Sequence, residues 1–201
     1  MDYNQDYTDY QLHRSSVRRF IRGSYIRHTA SFVHGKAIDF GCGVGDLLKM
    51  LPSGSIGLEI NKATVDYCRS IGLNVRYYDL AQDAYRFTFL EAGVFSTFII
   101  SHVLEHLDNS DQVLRTILSS GVRLGIKRVI LVVPGEKGFA YDKTHRTFID
   151  RAYLRSNNLQ NLHGYTIALM RNYPFNVAWV GKYFTHNELL VVFDSNKSPS
   201  Q

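Results

Sequence analysis

The residues best suited to chemistry are three carboxylates set around a run of glycines. Ala37-Ile38-Asp39-Phe40 leads into Gly41-Cys42-Gly43-Val44-Gly45-Asp46, an apolar run that ends in three alternating glycines. Glycine at such a point lets the backbone turn sharply and lets a ligand approach the peptide groups. A dinucleotide fingerprint would need its third glycine at position 46, where the chain carries Asp46. A carboxylate there would repel a pyrophosphate, and no Gly-Lys-Ser/Thr follows to make a Walker loop. The loop therefore suits a nucleoside ligand without phosphates. Asp39 stands just before the first glycine, Glu59 ends the run GLEIN and Asp79 ends YYDL. A carboxylate at a strand end such as Glu59 can take both hydroxyls of a ribose, and Asp79 is in reach of an adenine amino group. Three acids around one crevice disfavour an anionic ligand and favour one that carries a sulfonium and an ammonium.

A second cluster lies in Ile100-Ser101-His102-Val103-Leu104-Glu105-His106. A helix starting near Val103 would set His102 and His106 one turn apart on one face, with Glu105 adjacent. His102 is then a candidate general base, because imidazole titrates near neutral pH. The alternatives are a divalent metal held by His102, Glu105, His106 and His145, or a packed, hydrogen-bonded turn at Glu105-His106. The expectation is that no metal is bound. A third group follows in Pro134–Ile149, which reads as a glycine-flanked loop holding Asp142, His145 and Arg146. There His145 could orient or deprotonate a hydroxyl, Asp142 could fix its tautomer, and Arg146 could grip an anion. Lys137, Lys143 and Arg151 make the neighbourhood cationic and suit a phosphate- or carboxylate-bearing acceptor.

Short apolar runs alternating with helical periods must position these groups, and they argue for βαβ units and a mostly parallel sheet. Strands are predicted at Lys36–Phe40, Ser55–Ile60, Asn74–Tyr78, Val94–Ser101 and Arg128–Val133. Helices are predicted at Leu47–Leu51, Ala63–Ser70 and Ser110–Leu118, the first stopped by Pro52. Thr166–Arg171 and Glu188–Phe193 read as two further strands without a long helix between them, an antiparallel end to the sheet. Arg14, Arg18, Arg19, Arg22 and Arg27, with His13 and His28, give a basic amphipathic helix near the N-terminus. The chain is read as a tail and helix over residues 1–35, one catalytic domain over 36–194, and a frayed tail over 195–201.

The chain has 201 residues, 45% of them hydrophobic and 20% charged, with a net charge of +5, so fibrous and disordered classes are excluded. No stretch of about 18 apolar residues spans a membrane. The acidic, polar start does not resemble a signal peptide, and Cys42 and Cys68 form no metal-like spacing. A reducing cytoplasm is the expected location.

The succession DFGCGVG, GLEIN, YYDL and FIISHVLEHLD resembles the class I S-adenosylmethionine-dependent methyltransferases, over about residues 36–134. The resemblance implies a Rossmann-like α/β fold: a seven-stranded, mostly parallel sheet with the last strand antiparallel and helices on both faces. It implies S-adenosylmethionine as cofactor. Gly41, Gly43 and Gly45 would form its loop, Asp39 would lie near the methionine moiety, Glu59 on the ribose and Asp79 by the adenine. Ile60, Leu80 and Ser101 would complete the contacts. Asp142–Phe148 is similar to a segment of bacterial methyltransferases that act in surface-glycan and small-molecule pathways. The implied reaction is methyl transfer to an oxygen, or a nitrogen, of a small acceptor, anionic or sugar-containing. Two rival readings are an RNA methyltransferase that uses the basic helix, and a non-catalytic cofactor-binding partner subunit.

Overall fold

The computed structural model describes residues 16–196, with side chains from Gly23 onward apart from Ala178. His13, Arg14 and the residues after Asn196 lie outside it, as do the side chains of Arg18, Arg19 and Arg22. Five strands alternate with helices: β1 (Ala37–Phe40), β2 (Ile56–Glu59), β3 (Val75–Tyr77), β4 (Thr97–Ser101) and β5 (Arg128–Val133). The accompanying helices are α1 (Ser16–Ala30), α2 (Lys62–Ser70), α3 (Leu80–Asp83) and α4 (Ser110–Leu124). There follow α5 (Glu136–Tyr141), α6 (Arg151–Ser156), β6 (Asn161–Leu162), β7 (Tyr165–Tyr173) and β8 (Glu188–Ser195).

Among the described residues, all eight strands join one sheet in the order β3-β2-β1-β4-β5-β8-β7-β6. The first five pair in parallel, and β8 slots antiparallel between β5 and β7. The expected antiparallel end is present, but the sheet has eight strands where the sequence predicts seven. The extra strand, β6, exists because His163 and Gly164 both adopt left-handed φ, +52° and +78°. That pair of angles makes the tight turn that folds Leu162 back onto Tyr165.

Alternation along the strands divides the core into two layers. Ile38, Phe40, Phe98, Ile100, Leu131 and Val191 face one way and pack on Val113, Leu114, Ile117 and Leu118 of α4. Ala37, Ile99, Ile130, Val132, Leu190 and Val192 face the other way and meet Tyr25 and Ile26 of α1. Each fully buried side chain of this kind contributes about 1.5–3 kcal/mol, so helices are held on both faces. On α1, His28 stacks on the Tyr173 ring at 4.2 Å, so part of the predicted basic face is packed against protein.

Local signals explain where the helices begin and end. Asn61 caps α2 by accepting from the Ala63 and Thr64 N–H groups, and Asp150 caps α6 by accepting from Tyr153 N–H. Gly125, at φ +74°, ends α4 six residues beyond the predicted stop. The predicted helix at Leu47–Leu51 is a single 3-10 turn, Leu48–Met50. No helix starts at Val103; only a 3-10 turn at Leu104–His106 forms there. Among the described residues no helix is long and apolar enough to cross a membrane.

Candidate cofactor and acceptor site

The order of the strands reverses at β1, between β2 and β4, and the parallel pairings bring their carboxyl ends to one edge. Open α/β sheets bind ligands in the crevice at such a switch point. Gly41 and Cys42 N–H both donate to the Leu58 carbonyl, at 2.8 and 3.2 Å, which pins the glycine loop to β2. Gly41, Gly43 and Gly45 have φ of +73°, +52° and +77°. Two of them also lack room for a side chain. A Cβ at Gly41 would fall 2.4 Å from Val103 Cγ2, and one at Gly45 would fall 2.3 Å from Leu73 Cδ1.

Glu59 is buried at the end of β2. Its Oε2 accepts from Gly43 N–H at 2.9 Å, and Oε1 accepts from Ile60 and Asn61 N–H at 2.8 and 2.9 Å. Burial pushes its carboxyl above the ordinary range, and the three amide donors oppose that rise. They use three of about four lone-pair directions, so one ribose hydroxyl can bind directly. Asp39 is buried two residues before the loop, at the end of β1. Asp79 is half-buried, and its Oδ1 caps α3 by accepting from Ala81 and Gln82 N–H. Ile60 is exposed, while Leu80 and Ser101 are half-buried, each at an end of β2, α3 or β4 on the same edge. The two thiols point at one atom, the Gly43 carbonyl, at 3.6 Å from Cys42 and 3.3 Å from Cys68. Burial pushes the Cys68 thiol up to about 11 and Cys42 higher, so both are inert packing groups.

The acceptor side departs from the expected helix geometry. His102 takes φ +56°, with its N–H on the Val132 carbonyl at 3.0 Å, and that turn redirects the chain before any helix can start. His102 and His106 therefore do not share a helical face. Instead His102 Nδ1 lies 3.1 Å from Glu105 Oε1, and Nε2 lies 3.6 Å from Glu188 Oε2. The Tyr25 ring covers it at 5.5 Å. Glu188 is buried, and sequence reasoning missed it. The only signal was an acid opening an otherwise apolar strand.

His145 and Asp142 correct a second expectation. His145 Nδ1 meets the Phe139 carbonyl at 2.8 Å, while its Nε2 is 4.0 Å from Asp142. The carbonyl, not the carboxylate, fixes the tautomer. Asp142 Oδ1 instead accepts from the Thr144 N–H and hydroxyl, at 2.9 and 2.7 Å. The Arg146 guanidinium is exposed, 3.7 Å from Asp108. The backbone N–H groups of Arg146 and Thr147 tie this segment to the Glu105 carbonyl, at 2.7 and 3.1 Å. Of the cationic neighbours, Lys137 donates to the Tyr183 carbonyl and Arg151 to Met170 O and Asn172 Oδ1, whereas Lys143 is exposed. Of the four residues proposed as a metal set, Glu105, His106 and His145 converge, each with one donor atom within 4.8 Å of the others. His102 stands outside that group. Burial, helped by nearby His145, lowers the basicity of His106, with Glu105 opposing.

The parallel sheet with β8 inserted antiparallel is the fold of S-adenosylmethionine-dependent methyltransferases of solved structure. The family model of methionine biosynthesis protein MetW matches residues 27–146, more than half of the chain, and the chain belongs to that family. No curated protein matches it. Among solved structures, it is similar to a SAM-dependent methyltransferase from Archaeoglobus fulgidus, at 18% identity and a TM-score of 0.62, over 88% of this chain and 94% of that one. Magnesium protoporphyrin IX methyltransferase from Synechocystis PCC 6803, with bound SAH, aligns at 17% identity and a TM-score of 0.60, over 90% and 88%. Geranyl diphosphate C-methyltransferase from Streptomyces coelicolor A3(2) aligns at 14% identity and a TM-score of 0.59, over 87% and 77%.

Proposed function

We propose that this protein transfers a methyl group from S-adenosylmethionine to an oxygen of a small acceptor. The observation that carries the reading is the bond from Gly43 N–H to Glu59 Oε2, which fixes a buried carboxylate against the glycine loop at the switch point. With Asp39 and Asp79 it gives a crevice of negative character, suited to a cationic sulfonium ligand. S-adenosylmethionine supplies an electrophilic methyl group: a bond to the acceptor oxygen forms as the carbon–sulfur bond breaks, leaving S-adenosylhomocysteine.

The chain's own residues supply position and a proton acceptor. His102 sits at the end of β4, held between Glu105 and Glu188. A ring that donates Nδ1–H to Glu105 keeps its basic lone pair on Nε2, which is buried against Glu188; the acceptor hydroxyl reaches it by displacing the Glu188 carboxylate, which then stabilises the imidazolium that results. Held so, the acceptor needs little more than alignment with the methyl group. Lys143, and Arg146 if it turns from Asp108, are exposed cations of this segment that can meet an anionic or sugar-phosphate acceptor.

Calorimetry with S-adenosylhomocysteine is the first test. Each charge-assisted bond to Glu59 is worth about 1.5–3 kcal/mol, so Glu59→Ala weakens binding by about tenfold or more. Unchanged affinity removes Glu59 from the site, and no binding to the native protein overturns the reading. Release of S-adenosylhomocysteine with a panel of hydroxyl compounds then defines the acceptor. An RNA acceptor would instead make turnover fall steeply with added salt.

A further inference from the structure

Two imidazoles and a carboxylate meet beside His102, and their hydrogen bonds decide which lone pairs are left. Thr144 Oγ1 lies 2.7 Å from Asp142 Oδ1, so the hydroxyl proton goes to that carboxylate. Its lone pair is then free to accept from His106 Nδ1–H at 3.0 Å. On the other ring, the Phe139 carbonyl can only accept, so His145 Nδ1 carries the proton. The neutral form of each ring is therefore the Nδ1–H tautomer, with its lone pair on Nε2. Glu105 has no exposed surface; its Oε1 meets His102, while its Oε2 is buried without a hydrogen-bond partner. A buried, uncompensated carboxylate oxygen is costly unless a cation faces it.

We propose that Glu105, His106 and His145 form a binding site for one divalent transition-metal ion, Zn²⁺ or the chemically close Co²⁺ or Mn²⁺, on the acceptor side of the crevice. Imidazole with a carboxylate favours these ions over Mg²⁺ or Ca²⁺. Ligand bonds of about 2.0–2.1 Å set tetrahedral donors about 3.3 Å apart, so donors now within 4.8 Å of one another draw together by side-chain rotation when the ion binds. The Phe139 carbonyl and the Thr144 hydroxyl already do what outer-sphere groups do at metal sites, holding each ring by its second N–H. Three protein ligands leave a position open for an acceptor oxygen. Glu105 then bridges, with one oxygen on the ion and the other on His102. Ion binding does not depend on the methyl-transfer reading.

The test is a Co²⁺ titration of the full-length, chelator-treated protein, followed by the visible bands of low-coordinate cobalt. One equivalent is expected, displaced by Zn²⁺. His106→Ala and His145→Ala each weaken binding by about 10²-fold or more, and His102→Asn leaves the stoichiometry unchanged. Thr144→Val, which only releases the His106 ring, weakens it by about 10- to 100-fold. Near-ultraviolet circular dichroism confirms that each variant is folded; should an alanine variant unfold, Thr144→Val decides. Absence of bound cobalt, or one-equivalent binding that His106→Ala, His145→Ala and Thr144→Val do not disturb, overturns the proposal.

Discussion

Replacing Gly41 by alanine tests the link between the cofactor loop and the turn that carries His102. Two penalties add. At φ +73° an L-residue pays about 1–2 kcal/mol for the left-handed conformation. The new Cβ would also fall 2.4 Å from Val103 Cγ2, and a β-branched side chain packed on the core can yield only by straining. Overpacking of that kind costs about 1–3 kcal/mol. The expected loss is about 3 kcal/mol, which lowers the midpoint of thermal unfolding by about 6–12 °C in a domain of this size. Val103→Ala removes the offending methyl group. Alone it destabilises by about 1 kcal/mol, but combined with Gly41→Ala it relieves the clash and leaves only the conformational penalty. Urea unfolding of the four proteins gives the coupling directly, expected at about 1–3 kcal/mol in favour of the pair. A coupling within about 0.5 kcal/mol of zero refutes the reasoning, because it means that the loop and the His102 turn do not press on each other.

Glu188→Gln should lower kcat by about tenfold while leaving the KM for S-adenosylmethionine in place, because only the proton-accepting side is touched; equal loss in both parameters removes Glu188 from that role. His106 makes the fold acid-sensitive. Burial holds its folded-state basicity below the free value of 6.5, so the unfolded chain binds more protons in between. Its contribution is complete above that value and is lost as pH falls through the folded one. Urea midpoints at about pH 7.5 and about pH 5.5 should therefore differ less in His106→Gln than in the native protein. Tyr165→Phe strands the Ile126 carbonyl, which the buried hydroxyl now bonds at 2.7 Å, and should cost about 1–3 kcal/mol by denaturant titration.

The parallel core was legible because its signals are local. Alternation in Arg128–Val133 already separates the residues that meet α4 from those that meet α1, and glycines at 41, 43 and 45 mark a loop that only positive φ can build. What stayed hidden depends on distant partners. Helix α5 contains Gly138 and follows Gly135, which locally argue for a loop. Both are glycine because the carbonyls of Thr185 and Asn187 approach so closely that a Cβ would sit 2.5 and 2.4 Å away. Glu188 meets His102 only once β8 has entered the sheet. The Asp142–His145 pairing was a reasonable inference from spacing, yet a backbone carbonyl three residues before Asp142 took the ring proton instead.

The place of β8 in the sheet has a consequence for how the chain matures during synthesis. Strands β5 and β7 are both made before it, and neither pairs with the other; each waits for β8 to hydrogen-bond along its edge. Until Glu188–Ser195 has been translated, a nascent chain holds two open strand edges, one of them the apolar run Arg128–Val133. Open edges of that kind recruit other chains. His102 also lacks Glu188 throughout that interval, so the proposed acceptor site is completed by the same event that closes the sheet, and a chain stalled before residue 188 would be adhesive and would lack that site.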